Sequence, residues 1–406
     1  MLRQVSSCSV HGGAVLTKPL LLEGDRDGED DEPNIVKRLL RLLRNVNLGA
    51  EVTNFQLPVV FNIPKSQLQL FGESVYCVRK DMLRRCNTSP TALDRFVAVV
   101  AWSISTSRNL RFGVAPYNPV LGEIHHASRG SLHVLLEQVS HHPPVSALHA
   151  TDEAEKIDMV WCNHYAAKFY GSKVEAEIKG KRILKLLNHG ETYEIQPPRF
   201  SVKIFPPAVD WVGKTKIRCR ETGFQADVNY STSSFLSRGD GAHAIKGKIY
   251  HSSSSSAILE VNGRWNSIVT AKNLESGNER VIYNAKEVLG GLNAPTVRDH
   301  HRIPGSESAV VWSEVNRFIL AKEWDNASEA KSKVERAQRE LAKARASDGQ
   351  PWFPKHFSIS HTKEDGWTCT PRQKSVPPAP IIFSGGQYEL QAEEDDDKQL
   401  KYTKLN

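Results

Sequence analysis

The sequence lacks any long apolar run. Its longest uninterrupted apolar segment, Phe96–Trp102, is far shorter than the roughly 20 residues that a membrane-spanning helix needs. The N-terminus also has no continuous apolar core followed by a cleavage site, which argues against a secretory signal peptide. We therefore expect a soluble, cytoplasmic protein.

Cysteine is scarce, and so are the motifs of catalysis. The six cysteines are scattered, with no C-x-x-C pair, which is typical of a reducing compartment and argues against a disulfide framework. The sequence has no H-E-x-x-H, G-x-S-x-G or P-loop motif, and no cysteine has an evident activating partner. We expect no catalytic residue, no metal, no cofactor and therefore no enzyme.

Charge is distributed unevenly along the chain. Residues 23–32 carry a net charge of −6 and residues 393–397 one of −5, so an overall charge of +7 leaves the remainder at +18. A basic body favours an anionic partner such as nucleic acid, a phosphoinositide or an acidic membrane surface. Dispersed solubilising lysines would give the same net charge, so charge alone does not identify an anionic partner.

The chain begins with segments of differing character. Residues 1–32 are expected to be a disordered, acidic lead-in. From Pro33, apolar residues recur at three- and four-residue steps with interleaved Lys and Arg, which predicts a short amphipathic helix that packs on the body or lies on a membrane. A polar, Pro-interrupted strap follows it. Residues 66–112 are predicted to be mostly helical.

Period-two patterns dominate from about 120 to 285. In residues 173–179, Val174, Ala176 and Ile178 share one predicted face and charged residues share the other. Similar short segments follow one another between turn signals, which predicts an antiparallel meander. Closing a long meander into a barrel removes its aggregation-prone edges. We therefore predict a mainly β fold, a large nearly closed antiparallel barrel with flanking helices.

The C-terminal third is predicted to return to helix. One long charged helix is expected over about 307–346, and a Pro-rich and acidic tail over 371–406. Within the helix, Lys331, Glu335 and Arg339 are spaced by four residues, which places them on one face. A solvated ladder of charges has the same spacing.

The segment E-Q-V-S-H-H-P-P at 137–144 is the most distinctive motif. A predicted strand runs into His141 and His142, and the two prolines that follow restrict the backbone there. Rigidly held imidazoles that can be protonated suit a phosphate ligand. The alternatives are a turn with surface histidines, or a metal site that uses His125 and His126, although no further ligand has a familiar metal spacing.

This motif resembles the fingerprint of the oxysterol-binding-protein-related family. Y-N-P-V-L-G-E at 117–123, F-Y-G at 169–171 and the W-x-P-K-H-F element at 352–357 fit the same family. The resemblance covers roughly residues 33–370 and is strongest to the short plant forms, which lack a pleckstrin-homology domain. It implies a nearly closed barrel with an apolar tunnel over 63–370, an N-terminal lid over 33–62 and a C-terminal helical subdomain.

The resemblance also implies a binding site for a lipid headgroup. By motif, the residues that bind the phosphates of phosphatidylinositol 4-phosphate would be Asn118, His141, His142, Lys331, Glu335 and Arg339. One departure is Ala115, where the family usually has a lysine. Arg108 or Arg111 is the candidate substitute for that cation. The lid would contribute Leu39, Leu43, Phe55 and Leu57.

The implied function is lipid binding and transfer. We expect a cytoplasmic protein that associates peripherally and transiently with anionic membranes, with endoplasmic-reticulum contact sites as a candidate location. It would extract single sterols or glycerophospholipids, in exchange with phosphatidylinositol 4-phosphate. A tether protein of the endoplasmic reticulum is a candidate partner, and nucleic acid is not expected. The alternatives are a lipid-dependent sensor or scaffold and a His-based metallohydrolase.

Overall fold

In the computed structural model of the protein, residues 9–11, 13–20, 35–53, 55–231, 242–254, 256–364 and 366–384 are described. The helices are α1 (Ile35–Leu43), α2 (Gln67–Tyr76), α3 (Met82–Thr88), α4 (Ala92–Ser105), α5 (Ala285–Leu289), α6 (Ser308–Val311), α7 (Ser313–Leu320) and α8 (Trp324–Ser347). Short 3-10 turns lie at Val59–Phe61 and His300–Arg302. None of the helices in these ranges is both long and apolar enough to cross a bilayer.

Strands dominate the middle of the chain. In order they are β1 (Ser9–His11), β2 (Ala14–Leu16), β3 (Asn62–Ser66), β4 (Ala115–Tyr117), β5 (Ile124–Arg129), β6 (Leu132–His141), β7 (Pro144–Asp152), β8 (Ile157–Phe169), β9 (Lys173–Lys179), β10 (Arg182–Leu186), β11 (Glu191–Ile195), β12 (Arg199–Lys203), β13 (Ala208–Cys219), β14 (Phe224–Ser231), β15 (Ala244–His251), β16 (Ala257–Arg264), β17 (Ile268–Asn273), β18 (Glu279–Asn284), β19 (Thr296–Val297), β20 (Phe357–Thr362), β21 (Gly366–Pro371) and β22 (Ile381–Ile382).

Sixteen strands form one sheet, in the order β18-β17-β16-β15-β14-β13-β11-β10-β8-β7-β6-β5-β22-β19. Strands β9 and β12 also belong to it, because the long strands β8 and β13 each pair with two successive strands along one of their edges. Neighbours are antiparallel except β22, which runs parallel to β5. The predicted mainly β fold with flanking helices is confirmed. Between described residues no ladder joins β18 to β19, so hydrogen bonds do not close the sheet.

Helices α2 and α4 begin at side-chain caps and pack against the sheet. Ser66 and Gln69 form a capping box at the start of α2, and the Thr91 hydroxyl accepts from the Asp94 N–H at the start of α4. Such caps satisfy backbone N–H groups that have no partner within the helix. Helix α4 is almost wholly buried, and its Trp102 meets Trp161 of β8 in the main core.

The prediction of a single continuous helix over 307–346 is wrong. The chain instead forms α6, α7 and α8. Lys322, between α7 and α8, has a φ of 60°, which a continuous right-handed helix does not allow. Since this link contains neither Gly nor Pro, the sequence gives no ordinary signal for the break.

Both ends of the chain are more ordered than predicted where the structure describes them. Ala14, Val15 and Leu16 are buried, so this part of the acidic lead-in over 1–32 packs in the body. In the tail predicted over 371–406, β22 extends the main sheet and Phe383 is buried. Both acidic runs, at 23–32 and 393–397, lie outside the described residues.

The cysteine expectation also needs a correction. Cys162 of β8 and Cys369 of β21 are joined by a disulfide. The bond ties the β20–β21 hairpin to the sheet across a separation of 207 residues. Scattered cysteines without a short-spaced motif gave no sign of this pair, because the pairing depends on which strands become neighbours.

Candidate functional site

A cavity of about 910 Å³ extends from helix α8 and the lid segment to the sheet. The side chains predicted to share one face of residues 173–179, Val174, Ala176 and Ile178, all line this cavity, which confirms their common face. Much of the remaining wall is also apolar. It includes Leu70, Phe71, Val139, Phe200, Val202 and Trp211.

The paired histidines lie where β6 ends and β7 begins. Their rings are in edge contact, with centroids 4.6 Å apart, and both line the cavity. The Nδ1 of His141 donates to the Pro119 carbonyl oxygen at 3.0 Å, because a carbonyl can only accept. Burial and the neighbouring His142 hold the pKa of His141 below its ordinary value. The Nε2 atom of His141 is therefore the ring atom left for a ligand.

The predicted face of helix α8 turns toward the same cavity. Lys331 donates from Nζ to the Leu57 carbonyl oxygen at 2.5 Å and to Asn62 Oδ1 at 2.7 Å. Glu335 lies 4.0 Å from both Lys331 and Arg339. Burial lowers the pKa of Lys331. The two cations are therefore held near one carboxylate, but neither forms a tight ion pair with it.

Asn118 completes the predicted set. It is exposed and lines the cavity, as Ala115 does. The six headgroup residues come from three distant parts of the sequence, and all of them line this one cavity. The part of the cavity bordered by the β6–β7 turn and α8 is called the mouth below.

The suggested substitutes for the lysine missing at position 115 are not supported. Arg108 lines the cavity, but its guanidinium is buried and bonded to backbone carbonyls, including that of Ser105 at 2.6 Å. Arg111 is exposed and is not part of the lining. Arg345 does line the cavity, and sequence analysis missed it. It continues the face of Lys331 by helical spacing, which was the available signal.

The lid segment covers part of the cavity. All four predicted lid residues, Leu39, Leu43, Phe55 and Leu57, line it. Helix α1 packs on the body through Leu43, which is buried in a small apolar cluster with Phe169. The strap after it is held to β8, where Val52 N–H donates to the Ala167 carbonyl oxygen at 2.8 Å. Of the two fates considered for the amphipathic helix, the structure shows packing.

The second histidine pair has a different place. His125 is fully buried, where Nδ1 lies 2.7 Å from Glu307 Oε1 and Nε2 lies 2.9 Å from the Tyr76 hydroxyl. His126 contacts the Pro377 carbonyl oxygen at 2.9 Å. Neither lines the cavity. In the described part of the chain, no group of three potential metal ligands is close enough to hold an ion.

Comparison with known proteins identifies the family. The model of the family described as oxysterol-binding protein matches residues 38–317. The chain belongs to the oxysterol-binding protein family. It is 47% identical over 374 residues to oxysterol-binding protein-related protein 4B of Arabidopsis thaliana, which covers 91% of this chain and 97% of that relative. The predicted family is confirmed.

Solved structures share the fold. The ORD domain of Osh1 in complex with cholesterol superposes with a TM-score of 0.72 at 24% identity, covering 88% of this chain and 90% of that one. The ORD of Osh3 in complex with PI(4)P, from Saccharomyces cerevisiae, gives a TM-score of 0.64 at 20% identity over 94% and 97% of the two chains. The matched family is described as oxysterol-binding protein, so this chain belongs to a family of lipid-binding proteins and is not an enzyme.

Proposed function

We propose that this protein extracts single lipids from membranes and transfers them, exchanging a sterol or glycerophospholipid with phosphatidylinositol 4-phosphate. One observation carries the proposal. An apolar cavity has a mouth lined by two histidines, a lysine and an arginine that lie far apart in the sequence. Such a site offers a dry interior for hydrocarbon and cationic donors for a phosphate.

The apolar interior answers the main energetic problem of lipid transport. Exposing hydrocarbon to water costs about 0.8 kcal/mol per methylene, so roughly thirty methylenes cost about 25 kcal/mol. A carrier must therefore replace the membrane interior with apolar protein surface. The cavity and its lid provide that surface, since Leu39, Leu43 and Leu57 all face it.

The mouth provides the groups for a phosphorylated headgroup. In the proposal, Lys331 and Arg339 neutralise phosphate charge, Glu335 orients both cations, and Asn118 and the histidines add hydrogen bonds. The Leu57 carbonyl now occupies Lys331, and a phosphate would compete for the same ammonium group. The complex of the Osh3 ORD with PI(4)P supports this ligand, and the complex of the Osh1 domain with cholesterol supports a sterol as the second one.

The surface beside the lid suits a membrane. Leu48, Tyr170 and Phe205 are 77%, 46% and 81% exposed. Backbone hydrogen bonds bring their loops together, since Gly49 N–H donates to the Phe169 carbonyl and Ile204 N–H to the Ser172 carbonyl. Exposed apolar side chains of this kind insert into a membrane interface.

Basic residues on α1 and directly after it add attraction for acidic lipids. The exposed Arg38, Arg41 and Arg44 follow one another at helical spacing. We infer transient peripheral association with anionic membranes from the cytoplasmic side. Contact sites of the endoplasmic reticulum and a tether protein there belong to the same proposal.

The headgroup proposal is tested by lipid extraction from vesicles that contain phosphatidylinositol 4-phosphate. The double variant His141→Ala/His142→Ala should lose extraction by about 100-fold, because two charge-assisted hydrogen bonds are removed. The matched control is His300→Ala/His301→Ala, an adjacent pair outside the cavity. Extraction that survives the first change would assign those histidines to structure alone.

The lid is tested by two leucines of the same helix. Leu43 is buried and lines the cavity, whereas Leu40 is 50% exposed and does not. Leu43→Asp should impair lipid retention, and Leu40→Asp should not. Transfer between donor and acceptor vesicles then separates a carrier from a sensor, since tight binding with slow transfer would favour a lipid-dependent sensor or scaffold.

A further inference from the structure

A buried arginine lies in the wall of the cavity, apart from the mouth residues. Arg182 begins β10, is 7% exposed and lines the cavity. It alternates with the core residues Leu184 and Leu186 on one face of the strand. The turn before it contains Gly180, whose φ is +132° and whose position leaves no room for a Cβ beside the Cys162 carbonyl.

The guanidinium of Arg182 has few partners. It lies over the Trp161 ring at 4.1 Å from the centroid, and Nη1 reaches Thr106 Oγ1 at a long 3.4 Å. Its Nε is buried without a hydrogen-bond partner, and among the described residues no carboxylate pairs with it. Burial lowers its pKa to about 10, so Arg182 is still charged at neutral pH.

A second unpartnered donor faces the same space. Tyr165 lines the cavity, stacks on Phe71 with ring centroids 5.2 Å apart, and has a buried hydroxyl without a partner in the described chain. Burial raises the pKa of Tyr165, which keeps its proton available for donation. Buried polar groups are normally hydrogen-bonded, so Arg182 Nε and the Tyr165 hydroxyl are both exceptions in the described chain.

A neighbouring arginine shows how the protein satisfies such a group when it is structural. The guanidinium of Arg108 is also buried, and it donates to the carbonyl oxygens of Ser105, Glu73 and Cys77 at 2.6, 3.1 and 3.0 Å. Arg182 has no comparable set of acceptors among the described residues. A buried charge whose one hydrogen bond, to Thr106, is long remains poorly compensated, which indicates that a ligand supplies the missing acceptors.

We propose that Arg182 and Tyr165 form a second polar subsite, inside the cavity, for the carboxylate of a lipid that enters with its acidic end first. The inference rests on the proposed function only in that the cavity holds a lipid. Arginine binds a carboxylate through two parallel hydrogen bonds. The ligand class is therefore a monocarboxylate with a long hydrocarbon body.

The donors present favour a carboxylate over an alcohol. An ionised carboxylate only accepts hydrogen bonds, whereas a hydroxyl brings a donor of its own that needs an acceptor. The Arg182 guanidinium has only donors, and the Tyr165 hydroxyl adds one more. A fatty acid and a steroid acid present the same group, so the experiment must compare both sources.

The test measures extraction of labelled ligands from neutral phosphatidylcholine vesicles by the full chain at pH 8.5, where the acids are ionised. One set is an 18-carbon fatty acid with its alcohol and methyl ester, and the other is a steroid carboxylic acid with its alcohol. We expect at least about a tenfold preference for the acid in one or both sets, as a charge-assisted pair implies. Equal extraction of acid and alcohol in both sets overturns the proposal.

Variants assign the preference to the residue. Arg182→Met should reduce acid extraction about tenfold and leave alcohol extraction unchanged, and Arg182→Lys should retain part of the preference. Tyr165→Phe should cause a smaller loss. The matched control is Lys185→Met on the same strand, which pairs with Asp158 outside the cavity lining. An acid preference that Arg182→Met leaves intact contradicts the assignment.

The mouth variant separates this proposal from the proposed function. The double variant His141→Ala/His142→Ala should lose phosphoinositide extraction and keep the preference for acids. If the wild-type chain extracts the phosphoinositide but shows no acid preference, only the inner subsite is refuted. If it extracts no lipid of any class, both proposals fail.

Discussion

Buried polar groups beneath the mouth differ sharply from those that line it. Below it, Glu123 accepts hydrogen bonds from Ser66, Ser308 at 2.7 Å, Trp312 at 3.0 Å and the Val120 N–H at 3.0 Å. At the mouth, the nearest oxygen–nitrogen distances from Glu335 to its two cations are both 4.0 Å. The framework group Glu123 is saturated by the protein, whereas Glu335 at the mouth keeps bonding capacity.

The motif at 137–144 shows the same contrast between buried, saturated residues and residues that face the cavity. Glu137 is fully buried and accepts from the backbone N–H groups of Lys355 and His356 at 2.7 and 2.8 Å. It fixes the start of the β20–β21 hairpin. Four and five residues later, His141 and His142 face the cavity. One continuous fingerprint therefore contains both a framework position and residues that face the cavity, and resemblance alone does not separate them.

Removing Glu123 should give the largest effect. Glu123→Ala leaves Ser66, Ser308 and Trp312 without their buried acceptor, and should lower the free energy of unfolding by about 3–4 kcal/mol. Urea unfolding followed by tryptophan fluorescence measures this. Glu314→Ala is the control, since its ion-pair partner Lys333 lies 3.9 Å away at the surface and this pair should contribute less than about 1 kcal/mol. Equal losses of unfolding free energy in the two variants would contradict the distinction between framework and surface residues.

Removing a mouth cation should show the opposite pattern. Lys331→Met should weaken phosphoinositide extraction by about tenfold to 100-fold, because a charge-assisted contact is lost. Its effect on unfolding should stay near about 1 kcal/mol, the contribution of its bonds to the Leu57 carbonyl and Asn62. Lys333→Met on the exposed face of α8 is the control. A stability loss as large as that of Glu123→Ala would place Lys331 in the framework.

A change of pH should sharpen the contrast further. The pKa of His141 lies below its ordinary value because of burial and His142, so the ring is neutral at pH 7.5 without ligand. A bound phosphate favours the imidazolium, and binding therefore takes up a proton. Phosphoinositide affinity should rise by about fivefold as the pH falls from 7.5 to 6.5, and should weaken as the pH rises.

The phosphate group of the ligand also titrates in this pH range. Comparison with a reference variant, His141→Asn, cancels that contribution. The ratio of wild-type affinity to that of His141→Asn should change with pH in this direction, since the variant lacks the ionisable ring. A ratio that is constant between pH 6.5 and 7.5 would mean that His141 takes up no proton on binding, and therefore that its Nε2 does not donate to the phosphate.

Much of the fold could be predicted because its signals are local. Period-two patterns located the strands, as in β9, where the predicted and observed bounds coincide at Lys173–Lys179. The spacing of Lys331 and Arg339 predicted one helical face. Long-range pairings could not be predicted, since the contact of Glu307 with His125 spans 182 residues and neither residue belongs to a local pattern. The break at Lys322 had no sequence signal either.

Arg182 is an intermediate case. In R-I-L-K-L, alternation puts it on the face of Leu184 and Leu186, but Ile183 makes the opposite face almost as apolar. Only the pairing of β10 with β8 shows which face is inside. The sequence therefore shows a cation on an apolar face, but the pairing of strands in the sheet is needed to show that this face lines the cavity.

Arg345 offers the smallest and most discriminating test of the comparison. It lines the cavity one to two turns beyond Arg339 but is only half-buried, so solvent screens its attraction for a phosphate. Arg345→Gln should weaken phosphoinositide extraction by about threefold and leave unfolding unchanged, whereas Lys343→Gln on the exposed side of α8 should do neither. Because this attraction is the most screened, raising the salt concentration should remove the effect of Arg345→Gln before that of Lys331→Met. A salt-resistant loss would instead mean that Arg345 contacts the headgroup directly, as the more buried cation is proposed to do.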